Sequence, residues 1–516
     1  MTITSFSFLV LLAVGMILYY ILPKSWQWIE LLLMSVLFYC CAATPYTILY
    51  LVISVVIAYV STNSISLLAG RIRGERLIST TIAISVIINV ALWFVLKARD
   101  IWYPVMYRGS SLIPQLGEIK VPTYVAALGM GYYTLQVIGY ILDCYWGTIE
   151  PQKNIAKLFL FVGFFPQLIT GPISRYSQLE SLFEKHTFSY LNVTQGAQRI
   201  LWGFFKKLVI AERAGIIVNF IWGNLEFYSG IFHWIALLLY PLQMYADFSG
   251  CMDIVIGAAQ LFDIKLAENF NNPFFSRNVQ EFWQRWHITL GNWAKDYVLY
   301  PLLKCKPMIK LGKFTKKKYG KRIGKFIPTA VGMFCLWMVM GIWHGGFKYI
   351  IGVSLWYWII LMAGELCSPI LKRIVQFLQV DIECFSWRLF QSIRTYLIYA
   401  VGAVFFRAAD FEQAVSFLVS SIQTFTREKF NAWVLFNGSI VNTGVTLEDV
   451  NVLIVGILML IIVGILREKC GFARVWMQKQ VLPFRWCIWM GLFVFVLIYG
   501  MYGPGYSAAE FIYQGF

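Results

Sequence analysis

Apolar runs long enough, or nearly long enough, to cross a bilayer recur along almost the whole chain. They fall near residues 6–22, 28–43, 46–60, 78–96, 122–142, 155–171, 197–220, 229–246, 327–343, 349–366, 391–406, 450–466 and 484–501. A straight crossing needs about 20 apolar residues. The pattern predicts an all-α polytopic membrane protein of roughly eleven to thirteen spans, the shorter runs being broken or re-entrant. Composition agrees. Only 13% of the 516 residues are charged and 59% are hydrophobic, whereas soluble domains are about a quarter charged. That excludes a soluble enzyme and a disordered chain. Repeats, low-complexity tracts and soluble linkers do not stand out, so 1–516 reads as one membrane domain. The first run, Phe6 to Leu22, has no basic residue before it and no small-residue cleavage signature. It is expected to be a retained span rather than a signal peptide.

Forty-three basic and 26 acidic residues leave a net charge of +17. Ten of the basic residues lie between Lys304 and Lys325, a stretch without an acid. Between apolar runs, such a stretch is predicted to be a cytoplasmic loop by the positive-inside rule, as is Arg71-Ile72-Arg73-Gly74-Glu75-Arg76. A multi-pass protein of the inner or plasma membrane with its N-terminus outside follows. Nucleic acid is not an expected partner, because no recognition motif accompanies the charge. The ten cysteines are scattered without a Cys-x-x-Cys. They are expected to be small buried hydrophobes, not a disulfide frame or a zinc site, and no metal is expected.

One stretch breaks the apolar pattern. Residues 266–300 mix Glu268, Asn269, Asn271, Asn272, Arg277, Glu281, Arg285, His287, Lys295 and Asp296 with clustered tryptophans and phenylalanines. Irregular backbone at membrane depth survives only when buried in protein or lining a water-filled cavity. A partly embedded, inward-facing segment is predicted there.

Four histidines are present. His186 and His233 sit beside polar or turn residues. His344 closes an apolar run as Gly341-Ile342-Trp343-His344-Gly345-Gly346, and His287 lies in an aromatic-polar cluster. Ionisable groups inside membranes are expensive and by default functional, and imidazole exchanges a proton near neutral pH. Arg285 and Lys295 are placed to pair with Glu281 or Asp296. Asp247 and Asp253, six residues apart, face different sides of a straight helix. A break at Gly250 would turn both toward one cavity, or leave them bonding freed backbone. The chain has no phosphate-binding Gly-x-x-x-x-Gly-Lys-[Ser/Thr] loop, no Gly-x-Ser-x-Gly elbow and no His-Glu-x-x-His helix. A histidine base acting on an activated substrate is the most economical enzymatic chemistry left.

Several motifs occur together and in order. They are Phe165-Pro166-Gln167-Leu168-Ile169-Thr170-Gly171-Pro172, Gly203-Phe204-Phe205-Lys206-Lys207, Asp247-Phe248-Ser249-Gly250 and Glu268-Asn269-Phe270-Asn271. Phe282-Trp283-x-Arg285-Trp286-His287-Ile288-Thr289-Leu290-x-x-Trp293-x-x-Asp296-Tyr297, Gly341-Ile342-Trp343-His344-Gly345 and Val404-Phe405-Phe406-Arg407-Ala408 follow. The set, from about 125 to 410, resembles the membrane-bound O-acyltransferase family, in particular its bacterial alginate O-acetylation branch. The resemblance implies a helical bundle around a funnel or tunnel, and acyl transfer from a thioester donor to a hydroxyl. It maps two central histidines onto His344, as general base, and His287, in a positioning role. Asp247, Ser249, Asn269, Arg285, Trp286, Asp296 and Trp343 are expected to bind or position substrate.

No tightly bound cofactor is implied. The donor is acetyl-CoA or an acyl carrier protein on the cytoplasmic side, where the basic stretch suits its phosphates or acidic surface. The acceptor is a secreted or cell-envelope polysaccharide, reached directly or through an extracytoplasmic acyltransferase or glycan-modifying partner. Beside membrane lipid, these are the expected partners. D-alanyl transfer to teichoic acid is an alternative; chain length beyond residue 410 favours the acetylating branch. A non-catalytic transporter or flippase, or a scaffold of an envelope glycan complex, is the alternative of another class. A transporter would show paired broken helices in two halves.

Overall fold

A computed structural model describes residues 1–69, 71, 74–97, 127–424 and 439–502. The first residues of the expected 122–142 run, and Ile72 and Arg73 of the expected cytoplasmic loop, lie outside the described residues. Among the described residues seven helices are long and apolar enough to cross a membrane: Pro45–Leu68, Gly74–Leu96, Lys306–Trp343, Phe347–Phe377, Phe385–Arg407, Leu447–Cys470 and Leu482–Tyr499. Two shorter apolar helices, Phe6–Ile21 and Gln27–Ala42, precede them. Their outward side chains, among them Ile17, Leu33, Ile87, Leu458 and Ile498, are exposed, as a surface solvated by lipid chains requires. The protein is a multi-pass, all-α membrane protein.

The chain divides into two compact units. The first comprises the described residues of Met1–Ile200 and Cys251–Glu268. Here the apolar run 155–171 does not cross as one helix. It forms Ile155–Gly163, capped by the Asn154 side chain, and a turn of helix at Phe165–Leu168. Between them Phe164 leaves helical geometry. Side chains take up the backbone groups thus freed: Phe165 N donates to Ser35 Oγ (3.1 Å) and Gln167 Nε2 donates to the Phe161 carbonyl (2.8 Å). Gly196 and Gly257 let two helices touch, since a Cβ on either would lie under 3 Å from the other's carbonyl oxygen. Asp253 resides in this unit, bonded to Arg199 Nε (2.7 Å), whose two terminal nitrogens fork onto Glu268 (2.7 and 2.6 Å).

The second unit comprises the described residues of Leu201–Gly250 and Asn269–Ile512. Its basic stretch corrects the sequence expectation of a loop at 304–325. Lys306–Trp343 is helical throughout except at Gly320, whose φ of +83° reverses the chain. The two arms pack as a hairpin. A Cβ on Gly324 would lie 2.4 Å from Lys316 Cα, one on Gly312 would lie 3.4 Å from Pro328 Cγ, and Thr315 Oγ1 donates to the Gly324 carbonyl (3.3 Å). Lysine is a good helix former, and with glycines at the seam the charges stay on the outside, where the lysines are exposed. Gly324→Ala is expected to destabilise the hairpin by about 1–3 kcal/mol. Faster tryptic cleavage between Lys316 and Arg322 than in wild type checks this. Gly364→Ala, with nothing within 4 Å of its Cβ, is the matched control.

The cysteines also differ from expectation. Cys144 and Cys251 are buried, but Cys40, Cys41, Cys367, Cys470 and Cys487 are exposed, and all ten are free thiols. In a lipid-solvated helix an apolar thiol gains little from turning inward, so burial is not enforced.

Candidate functional site

The site is assembled within the second unit from the irregular segment 269–300, the end of the Lys306–Trp343 helix, and the turn that follows. Asn269–Asn271 lies antiparallel to Arg285–Ile288, joined by Asn271 N to the Arg285 carbonyl (2.9 Å) and Ile288 N to the Asn269 carbonyl (3.0 Å). That clasp holds His287 at φ +46°, ψ +52°, immediately before the helix Ile288–Ala294. A non-glycine residue in this left-handed region costs on the order of 1–3 kcal/mol and persists only where surroundings impose it.

Asn269 Oδ1 fixes the ring as well. It meets Thr289 N (3.1 Å), Thr289 Oγ1 (2.9 Å) and His287 Nδ1 (3.2 Å). The backbone N–H of Thr289 only donates, so the atom facing it must be the amide oxygen. An amide oxygen only accepts, so His287 carries its hydrogen on Nδ1, and in the neutral imidazole Nε2 bears the lone pair. The expected positioning residue Asn269 therefore sets the tautomer of His287.

His344 ends the long helix, its N–H donating to the Met340 carbonyl (3.2 Å). Gly345 and Gly346 follow at φ +82° and +60°, a reversal that side-chain-bearing residues resist. Gly341 admits the next segment: a Cβ there would lie 2.0 Å from Ser354 Oγ and 3.0 Å from the Tyr349 carbonyl oxygen. Both imidazoles are buried, with 3% of His287 and 7% of His344 exposed. They flank one indole. Trp343 has its ring centroid 6.2 Å from His287 and 4.9 Å from His344. Phe248 packs edge-on against His287 (4.9 Å), and Phe406 and Tyr349 pack on His344 (5.0 and 5.9 Å).

Asp247 and Ser249 belong to an adjoining buried polar cluster. The helix Ile231–Leu261 is continuous, without a break at Gly250. Asp247 and Asp253 accordingly point to different partners, Asp247 bonding Lys207 Nζ (2.6 Å). Lys207 also bonds Glu212 (2.7 Å), and Lys206 Nζ donates to Ser249 Oγ (2.8 Å). Both lysines sit on a π-wound stretch, Phe205–Ala211, an irregularity frequent at functional sites. Gly250 permits the contact, since a Cβ would lie 2.9 Å from the Gly203 carbonyl oxygen and 3.1 Å from Lys207 N. Two cations and two carboxylates balance here, as burial of charge demands.

The remaining candidates are not gathered at the histidines. Arg285 pairs with Glu281 (2.8 Å), as expected, and with Glu468 (2.6 Å). Trp286 is buried in an aromatic wall with Phe282 and Tyr399 (5.6 and 5.0 Å). Asp296 is half-buried on the π-wound segment Lys295–Leu299. Sequence reasoning assigned no role to Lys206, Lys207, Glu212 or Thr289. Two adjacent lysines inside the apolar run 197–220 were the available signal. His186 bonds Asp263 (3.2 Å) and the Ser181 carbonyl (2.7 Å), and His233 packs on Phe417 (4.8 Å). Among the described residues no group of three or more His, Cys, Asp or Glu is arranged to hold a metal ion.

Residues 149–316 match the model of the membrane-bound O-acyltransferase family, a segment that includes His287 and ends before His344. Over those residues the chain is similar to that family. It is 30% identical over 291 residues to a probable alginate O-acetylase of Pseudomonas aeruginosa, covering 56% of this chain and 50% of that protein. It is also 30% identical over 322 residues to a peptidoglycan O-acetyltransferase of Helicobacter pylori, covering 57% and 56%. With a teichoic acid D-alanyltransferase of Bacillus subtilis it shares 31% identity over 234 residues, covering 43% and 54%. The matches thus span about half the length of these relatives.

Proposed function

We propose that the protein transfers an acyl group, acetyl in the first instance, from a cytoplasmic thioester to a hydroxyl of an envelope polysaccharide, directly or through an extracytoplasmic partner. The observation that carries this is the pair of buried imidazoles that both pack on Trp343, one with its tautomer set by Asn269. His344 acts as general base. It takes the proton of the attacking hydroxyl as the oxygen bonds the thioester carbon; the carbon–sulfur bond then breaks, and the departing thiolate is protonated. His287 Nε2, an acceptor, orients the acceptor through a neighbouring hydroxyl. The exposed lysines of the basic hairpin would draw a donor bearing phosphates or acidic side chains.

The relatives act on three different polymers, as their names state, and support acyl transfer to an envelope polymer more strongly than any one acceptor. D-alanyl transfer is the second reading, favoured by the likeness to the Bacillus subtilis protein. The test is O-acyl ester on the surface glycans of a deletion strain complemented with wild type or with His344→Ala at matched abundance. Restoration by wild type alone supports transfer; restoration by both makes the histidine structural and favours a transporter or scaffold. Mild alkali releases acetate in the first reading and D-alanine in the second.

Asn269→Ala is expected to lower the rate on the order of 10²-fold, because a misplaced reacting group costs that much. Asn269→Asp, which keeps an acceptor oxygen toward His287 and Thr289, should retain more. Initial rates of ester formation in membranes at matched abundance decide the order.

A further inference from the structure

The basic hairpin has a face that the acyl-transfer reading does not use. In its first arm Lys306, Lys310, Lys313 and Lys317 recur at four-, three- and four-residue spacings. They fall within an arc of about 60° on one side of the helix and form a row about 16 Å long. All four are exposed. Gly312 and Thr315, which meet the second arm, lie on the opposite side. Ile309 and Phe314 flank the row and are 46% and 59% exposed. No acid lies between Lys304 and Lys325, and none of the ion pairs among the described residues includes a lysine of the row.

Depth sets the row apart from the tip of the hairpin. A Cβ on Gly332 would stand 3.1 Å from Leu303 Cδ2, and Gly312 lies against Pro328. The stretch that carries Lys306, Lys310 and Lys313 therefore runs beside residues 328–332. Those residues belong to the apolar run 327–343, the farthest of them about 8 Å inside its start. Val331 is exposed there, as on a surface that faces lipid. Lysines at that depth turn their four-carbon stems outward and place the ammonium among the headgroups, while side chains such as Ile309 and Phe314 stay in the acyl chains. Cations without an acid among them call for an anionic headgroup, and each lysine gains about fivefold in affinity for such a surface. A soluble acidic protein would have to enter the bilayer to reach Lys306 and Lys310. Lys318 and Lys321 flank Gly320, about 12 Å beyond Pro328. That exceeds the screening length of about 8 Å in physiological salt, so these two stay in water for the donor.

We infer that Lys306, Lys310, Lys313 and Lys317 hold the phosphates of anionic phospholipid in the leaflet into which the hairpin projects. The inference goes beyond the acyl-transfer reading and does not rest on it, and its test measures lipid contact rather than transfer.

Full-length protein in phosphatidylcholine vesicles, with or without phosphatidylglycerol, provides that test. The neutral reagent N-hydroxysuccinimidyl acetate modifies free amines, and mass spectrometry gives the rate at each lysine. Phosphatidylglycerol is expected to slow acetylation of Lys306, Lys310 and Lys313 about fivefold relative to Lys318 and Lys321. Equal rates with and without it, or equal slowing along the whole hairpin, overturn the inference, and neither result needs a variant to fold. Protection of the row by an acyl carrier protein and not by phosphatidylglycerol overturns it too, making the row a protein-docking face. Melting temperature in detergent gives a second readout, because a lipid that binds the folded state stabilises it. Added phosphatidylglycerol should raise it above the value with phosphatidylcholine in the wild type and in Lys316→Gln/Lys318→Gln/Lys321→Gln. Lys306→Gln/Lys310→Gln/Lys313→Gln, which removes as many charges and keeps good helix formers, should lose that rise. A full rise in this variant overturns the inference.

Discussion

His344→Ala is expected to reduce acyl transfer by about 10²–10⁴-fold, the range a positioned general base contributes. The imidazole sits at a helix end where two left-handed glycines reverse the chain, enclosed by Trp343, Tyr349 and Phe406. Truncation also leaves a small void among aromatic rings, and a loss of packing must be separated from a loss of chemistry. His344→Gln fills much of the space and forms hydrogen bonds but exchanges no proton near neutral pH. Both variants should therefore be inactive, with glutamine closer to wild type in thermal stability. An active His344→Gln protein would remove the base role while leaving the fold intact.

Lys207→Met should be the most destabilising single change in the site. Its ammonium lies between Asp247 (2.6 Å) and Glu212 (2.7 Å), all three side chains being nearly inaccessible. Removing one partner of a buried ion cluster leaves uncompensated charge and costs about 3–5 kcal/mol. Loss of folded protein is expected, read as a lower melting temperature in detergent and lower abundance in membranes. Pairing the change with Asp247→Leu removes one charge of each sign. The double variant should be more stable than the sum of the two single losses predicts, by about 1–3 kcal/mol. Strict additivity would mean that the contact contributes nothing to the fold.

Much of the architecture is legible in the sequence because lipid imposes a long-wavelength signal. Runs such as 391–406 and 450–466 fall inside helices long and apolar enough to cross for that reason. The signal fails where charge and helix coincide. The lysines of 304–325 mask a helical hairpin whose seam depends on Gly312, Gly320 and Gly324, and nothing in their spacing distinguishes hairpin from loop. His287 and Asn269 are eighteen residues apart, so their contact needs the antiparallel clasp and the left-handed backbone, both tertiary facts. The balanced cluster of Lys206, Lys207, Asp247 and Glu212 was visible only in part. Asp247 and Ser249 stood out at the end of an apolar run, whereas the lysines looked like members of another. A π-wound turn, which local propensity does not announce, brings the two runs together.

The most direct test uses membrane vesicles bearing the wild-type or the His344→Ala protein, matched in abundance, with acetyl-labelled thioester on the side of the basic hairpin and glycan acceptor with its envelope partners on the other. Alkali-labile label on the glycan is expected with the wild type alone. Equal labelling with both proteins, or none with either while the thioester stays intact, would contradict acyl transfer through this histidine.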